Sequence, residues 1–473
     1  MGRPRGRGGR GRDVKVAVVG GGLAGCEAAW ALATRGHQVT LHEMRPHTRT
    51  PAHQTDRLAE IVCSNTFKST EVTNAHGLLK AELRLLGSVL LEAADRARVP
   101  GGSALAVDRD VFSRDVTERV TAHPNIEVIR DEVTTLPSPA VVATGPLTSD
   151  SLAQAIRGRL GLEALAFYDA IAPIVSLESL DESRVYRLSR YGKGGGDDYI
   201  NAPFSKEEYE AFIDALIGAD QFSGHAFDTL TPVPSPLRGE GNANPGARVA
   251  APTPYFEGCL PVEEMARRGR ETLRFGPMKP VGLPDPRTGR EPYAVVQLRQ
   301  DDRAGQMWNL VGFQTRLKIP EQKRVFAMIP GLANAEFLRY GSIHRNTYVN
   351  SPAALSAHLS ARDDERLLFA GQLVGVEGYT ESLGTGLLAG INLARMLSGA
   401  APAVPPPETM LGALLKYVHE ADPAHFQPMN ANFGLLPDLA VRVKDKDKKR
   451  HHFADRALAA MRVFVEQTAT VPA

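Results

Sequence analysis

Cysteine, tryptophan and net charge are all scarce in this chain, and each shortage excludes something. Three cysteines, Cys26, Cys63 and Cys259, in 473 residues cannot staple an extracellular scaffold. Disulfide-framework classes therefore drop out, and a reducing, cytoplasmic setting is expected. No apolar run approaches the roughly 18 residues that a membrane helix needs. The N-terminus has basic residues with no apolar stretch behind them, which does not read as a secretory signal. No internal repeat is evident, and no metal site is expected. A formal net charge of only +1 does not by itself announce a nucleic-acid binder.

What is present fits an enzyme of two to three folding units. Hydrophobic residues make up 43% and charged residues 23%, ordinary values for a globular protein. The charge is unevenly spread. Residues 1–15 hold six basic groups and one acid, leaving 49 basic against 53 acidic groups and a mildly acidic body. A second basic cluster comprises Lys444, Lys446, Lys448, Lys449 and Arg450, followed by His451 and His452. Such clusters can meet phosphates or simply be solvated.

The pattern predicts an α/β fold, a doubly wound Rossmann-like dinucleotide domain with an inserted α+β domain. Residues 1–12, rich in Arg and Gly, read as a disordered tail. Residues 13–170 form the first part of the dinucleotide domain. Within it, VKVAVV, HQVTLHE, IEVIRDEV and PAVVATG read as strands, and 78–97 and 108–122 as helices. Residues 171–330 read as the inserted substrate domain, with β-like runs RLSRYG, YAVVQLRQ and MWNLVGFQTRL. Inside it, the Pro-, Gly- and Asn-rich stretch 222–250 reads as a flexible insertion. Residues 331–473 return to the dinucleotide domain through RLLFAGQL and TGLLAGINLARML, then add a C-terminal helical region.

Gly20-Gly21-Gly22-Leu23-Ala24-Gly25 lies between a strand and a helix. In that setting the first glycine permits the tight turn and the second lets backbone approach a pyrophosphate. The third lets helix and strand pack closely. Glu43 ends the second strand, where a carboxylate can accept from ribose hydroxyls. Two further apolar strands end in glycine, at Gly145 and Gly371, which favours FAD over NAD. The Gly-rich junction running through Tyr379 and Gly384 is placed to meet a flavin ring, on which Tyr379 can stack.

Cys26 sits among alanines and reads as packing filler. Cys63, in LAEIVCSNTFKS, and Cys259, in PYFEGCLPVEEMARRG, lie in polar loops and are candidates to converge on one site. The blocks EIVCSNTFKS, PYFEGCLP, GPMKPVGL, VVQLRQ, NLVGFQT, EQKRVFAMIPGL and GYTESLGTG resemble the folate- and FAD-dependent tRNA (uracil-5-)-methyltransferase family, TrmFO, over nearly all of residues 13–440. The resemblance implies formation of 5-methyluridine at position 54 in the T-loop of tRNA. Methylenetetrahydrofolate would be the one-carbon donor, FAD the carrier and reductant, and NADH or NADPH the source of electrons.

The resemblance also implies that Cys259 is the nucleophile and Cys63 the general base. A thiolate adding to uracil C6 makes C5 nucleophilic, and a base must then remove the C5 proton. Acidic neighbours such as Glu263 and Glu264 would oppose a thiolate at Cys259 unless Arg267, Arg268 or a phosphate offsets them. Lys279, Arg299, His344 and Arg345 are candidates for the folate tail or the RNA backbone. The target base must leave its stack to be reached. The chain departs from the family pattern in the 222–250 stretch, in its Arg/Gly tail and in Ile319, where relatives usually carry an aromatic residue. Two alternatives stand beside this reading. One is the related GidA (MnmG) type that modifies wobble uridine with FAD and folate, and the other a general FAD/NAD(P)H oxidoreductase with no RNA partner.

Overall fold

The apolar run after Lys15 forms strand β1 (Val16–Val19), and the glycines turn it into helix α1 (Leu23–Ala33). Strand β2 (Val39–His42) then returns beside β1 in parallel, with Val18 opposite Leu41. The computed structural model describes residues 15–50, 52–161, 165–222 and 260–469. The Arg/Gly tail, Cys259 and all but the first residue of 222–250 lie outside the described residues.

Strand β3 (Thr66–Ser69), helices α2 (Ala75–Leu85) and α3 (Val89–Arg96), and strands β4 (Arg98–Val99) and β5 (Ala104–Val107) follow. The single helix expected over 78–97 is therefore two. Gly87 adopts φ +82, a left-handed geometry that ends α2. The Ser88 hydroxyl then caps α3 by accepting from Leu91 N–H at 3.2 Å. Helix α4 (Arg109–Ala122), strands β6 (Ile126–Ile129) and β7 (Ala140–Val142), and helix α5 (Asp150–Leu160) complete this stretch.

Strands β8 (Leu165–Ile171), β9 (Ile174–Ser176), β10 (Tyr186–Arg187) and β11 (Tyr199–Phe204) lead to helix α6 (Lys206–Ile217). RLSRYG contributes only its first residue to strand. Tyr191 takes φ +57 there, and the segment turns instead of extending. Helices α7 (Val262–Arg268) and α8 (Thr272–Phe275), strands β12 (Ala294–Gln300) and β13 (Met307–Leu310), helix α9 (Ile319–Phe326) and strand β14 (Phe337–Arg339) follow. The chain then runs through β15 (Ser342–Tyr348), α10 (Ser351–Ala354), β16 (Ser360–Ala361) and β17 (Asp364–Phe369). It ends in helices α11 (Tyr379–Leu397), α12 (Met410–Glu420) and α13 (Lys446–Ala469).

Two six-stranded sheets organise these elements. The first has the order β16-β17-β7-β1-β2-β6 and is parallel except at the edge pair β16–β17. Strand β17 pairs with β7, Leu368 opposite Val141, so a late segment completes the sheet begun by β1. The second sheet, β10-β11-β12-β13-β9-β14, is antiparallel and has its own apolar core around Phe212, Trp308 and Phe313. Its last strand ends at Arg339, past the boundary at 330 expected from sequence. Helices α1 and α11 cross at near backbone contact. A Cβ added at Gly386 would stand 2.2 Å from the Ala24 carbonyl oxygen, and one at Gly390 would stand 2.6 Å from that of Ala28.

Candidate active site

The glycine turn forms the floor of a cleft lined by Gly20, Gly21, Gly22, Glu43, Arg45 and Thr144. Each glycine has a separate reason to lack a side chain. A Cβ on Gly20 (φ +106) would meet the Ala143 carbonyl oxygen at 2.6 Å, and one on Gly25 would meet the Gly20 oxygen at 1.8 Å. A Cβ on Gly22 would meet nothing within 4 Å. Packing therefore explains Gly20 and Gly25. Gly22, the N-cap of α1, leaves open space into which a group such as a pyrophosphate fits. Leu23 opens α1 beside it, half-buried, while Ala24 is buried against α11. Gly145 (φ +66) follows β7 with open space in front of it, and Gly371 follows β17, its N–H donating to the Thr385 hydroxyl at 2.9 Å. The residues present thus fit the dinucleotide of FAD.

Glu43 lines this cleft and is held hard. Its Oε2 accepts from Gly21 N–H at 3.1 Å, and Arg45 donates to Oε1 through Nε at 2.9 Å and to Oε2 through Nη2 at 3.1 Å. Burial would raise its pKa, but the Arg45 bonds and charge outweigh that and hold it below the usual carboxylate value. Glu43 stays ionised as an acceptor, and Arg45 adds a buried cation that sequence reading missed.

Leu147 lines the cleft on one side and packs with Cys63, Ala52, Val62 and Ile171 on the other. Cys63 is half-buried, and its peptide is clamped from three directions. The Tyr379 hydroxyl accepts from Cys63 N–H at 3.0 Å and from Ser64 N–H at 3.1 Å, and donates to the Ser64 carbonyl at 2.9 Å. Arg109 Nη1 donates to the Ile61 and Val62 carbonyls at 2.9 and 3.1 Å, while its Nε donates to Asp301 at 2.7 Å. Asn65 donates to the Val107 and Gln300 carbonyls and accepts from Arg299 Nε at 2.9 Å. Arg299 and Gln300, the partners of Asn65, come from the end of β12, so the second sheet helps hold the Cys63 turn. Burial would lower the Arg109 pKa, but Asp301 outweighs it and raises it. Burial lowers that of Arg339, and a charge on Cys63 would raise both.

The position expected for Tyr379 changes in one respect. It lies in the first turn of α11, its ring edge-on to Phe67 at 5.5 Å. Its hydroxyl is committed to the cysteine turn, a role that ring stacking alone does not describe. Burial pushes its pKa upward. Nearby, Lys80 is fully buried on α2 and donates to the Phe67 carbonyl at 2.6 Å and the His76 carbonyl at 2.9 Å. Burial pulls its pKa down to about 7. Glu381 accepts from Ala431 N–H at 2.9 Å and pairs with His76 Nδ1 at 3.1 Å. Burial opposes its charge, but the His76 bond and the charges of Lys68 and His76 prevail and hold its pKa near about 2.

Other candidates are placed differently from expectation. Gly384 lies inside α11, facing Leu411 and Leu83, where helix packing accounts for its missing side chain. Arg299 is buried and spent on Asn65, which makes it a positioning group and not a surface phosphate ligand. Lys279 is exposed, and the side chains of His344 and Arg345 lie outside the described residues. Ile319 is 50% exposed at the start of α9. The carboxylates following Cys259 are already engaged. Glu263 accepts from the Thr315 hydroxyl at 2.9 Å and Arg316 N–H at 2.7 Å, while Glu264 pairs with Arg267 and Arg316 at 2.9 and 2.5 Å. Cys26 is buried beside the glycine turn, and burial raises its pKa. No helix among the described residues is long and apolar enough to cross a membrane.

A parallel sheet with a glycine cleft at the ends of β1 and β7, joined to an antiparallel second sheet, is the FAD-binding fold of the GidA group. Residues 15–401 match the family described as Glucose inhibited division protein A. Two crystal forms of Aquifex aeolicus GidA superpose with TM-scores of 0.64 and 0.61 at 16% identity, covering 96% of this chain and 73% and 77% of those chains. Sequence narrows the group. A Geobacter sulfurreducens protein named methylenetetrahydrofolate–tRNA-(uracil-5-)-methyltransferase TrmFO is 55% identical, covering 94% of this chain and 98% of its own. Proteins of the same name from Desulforudis audaxviator and Anoxybacillus flavithermus are 53% and 51% identical, each covering 96% of this chain and 98% and 100% of their own. The chain belongs to the TrmFO family.

Proposed function

We propose that this protein methylates C5 of uridine 54 in the T-loop of tRNA, taking its one-carbon unit from methylenetetrahydrofolate. The observation that carries the reading is identity of 50–55% along nearly the whole chain to enzymes of that name. Bound FAD supplies what side chains lack, namely carriage of the carbon and the two electrons that turn a methylene into a methyl. NADH or NADPH restores those electrons, and the reaction takes place in the cytoplasm.

In this reading Gly20, Gly21, Gly22, Leu23, Ala24 and Gly25 bind the pyrophosphate, Glu43 the ribose, and Gly145, Gly371 and Tyr379 the remaining length of the cofactor. Residues 13–170 and those after Arg339 supply the cofactor unit and the C-terminal helices, and the segment between them forms the substrate unit. Cys259 adds through sulfur to uracil C6, so that C5 can form the new carbon–carbon bond. Cys63 then takes the C5 proton, and loss of Cys259 from C6 restores the ring. Arg109 and Arg339 support the ionised form of Cys63 electrostatically.

The pairing of roles is testable with labelled RNA. Cys259→Ala is expected to abolish covalent trapping of 5-fluorouridine tRNA. Cys63→Ala is expected to slow release of tritium from C5. A Cys259→Ala variant that still traps the RNA removes the nucleophile assignment. Parent-rate tritium release by Cys63→Ala removes the base assignment.

A further inference from the structure

Outside residues 1–15 the chain carries 49 basic and 53 acidic groups, yet a tRNA substrate presents a dense line of phosphates. Positive surface must therefore be local. Lys444 precedes α13, and Lys446, Lys448, Lys449, Arg450, His451 and His452 occupy its first turns, exposed or half-buried.

Three observations separate this cluster from an ordinary solvated helix end. The cations stand at the helix N-terminus, where the helix dipole repels them. Three of the lysines also lack ion-pair partners, while Lys449 lies over the Phe453 ring at 5.4 Å. Arg84, Arg96 and Lys318 pair with Asp95, Asp115 and Asp220. Among the described residues Lys444, Lys446 and Lys448 form no ion pair, and Arg450 has only a 3.9 Å approach to Asp447. Finally, α13 packs on the segment that leads to the first turn of α11. Phe453 stacks on Phe433 at 5.8 Å, and two residues before Phe433 the Ala431 N–H binds Glu381, in the same helical turn as Tyr379. Asp445 already accepts from Lys448 N–H at 2.8 Å, so recognition falls to the side chains and not the helix amides. Lysines without ion pairs, held at a helix start against the local rule, mark a surface kept for function.

We propose that the basic start of α13 is a docking surface for backbone phosphates of the tRNA substrate. The inference rests on the tRNA reading given above. Its test is tRNA binding by the full-length, FAD-loaded protein across a potassium chloride series. The parent is compared with the triple variant Lys444→Gln, Lys446→Gln, Lys448→Gln. Each phosphate contact contributes about 0.7 to 0.9 to the slope of log affinity against log salt. The triple variant is therefore expected to lose roughly 2 to 3 from that slope and about tenfold or more in affinity at low salt. FAD content should match the parent, and the melting temperature should be equal or higher because repulsion at the helix start is relieved. The single variant Lys448→Gln should lose a slope of about 1, and the triple Lys→Arg variant should keep the parent slope. A triple Gln variant with parent slope and affinity overturns the docking surface while leaving the methyltransferase reading intact. A parent that binds no tRNA overturns both.

Discussion

Gly22 and Gly25 belong to one motif yet should fail in different ways when a methyl is added. At Gly25 the methyl collides with the Gly20 carbonyl, so Gly25→Ala is expected to displace α1 and destabilise the apoprotein. At Gly22 it enters open space, so Gly22→Ala should fold with an unchanged apoprotein melting curve and bind FAD about tenfold or more weakly. Equal FAD affinity in Gly22→Ala would remove the cradle assignment. Tyr379 offers a second separation of roles. Tyr379→Phe keeps the ring but leaves Cys63 N–H and Ser64 N–H without their acceptor, a loss of about 1–3 kcal/mol. FAD content should persist while kcat falls about tenfold and alkylation of Cys63 by iodoacetamide changes rate. An unchanged alkylation rate would show that the hydroxyl does not position the cysteine.

At the scale of elements, Glu381 ties the start of α2 through His76, the first turn of α11, and the segment at Ala431. Its folded pKa of about 2 lies below the ordinary value near 4.3. The stability it contributes is therefore fully present above the ordinary value and is lost as pH falls towards 2. The full difference corresponds to about 3 kcal/mol. The difference in unfolding free energy between parent and Glu381→Gln should narrow below about pH 4.5. A gap that does not change with pH would mean that the carboxylate charge contributes nothing.

The elements also show what sequence conveys. The β1–glycine–α1–β2 unit and α4 were legible because period, glycines and the Asp108 cap all agree locally. The division of α2 from α3 had a visible signal in Gly87-Ser88, outweighed by the apolar run around it. The three clamps on Cys63 had none. Tyr379, Arg109 and Arg299 reach that turn across 316, 47 and 234 positions, distances only the folded sheets close. The same holds for Arg45 facing Glu43. Its spacing was visible, but the burial that makes the pair strong was not. A glycine that lets helices approach, as Gly384 does against Leu411 and Leu83, looks in sequence like one that admits a cofactor.

On the scale of the whole molecule, the protein joins a dinucleotide cleft, a cysteine turn held by α4, α11 and the end of β12, and a basic helix end. We propose that these parts move folate carbon onto tRNA. The most direct test is nucleoside mass spectrometry of unmodified tRNA incubated with the FAD-loaded protein, methylenetetrahydrofolate and NADPH. A parallel reaction replaces folate with S-adenosylmethionine. The expected result is 5-methyluridine mapping to the T-loop in the folate reaction and none in the parallel one. No 5-methyluridine from protein that is yellow with FAD and binds tRNA would contradict the claim.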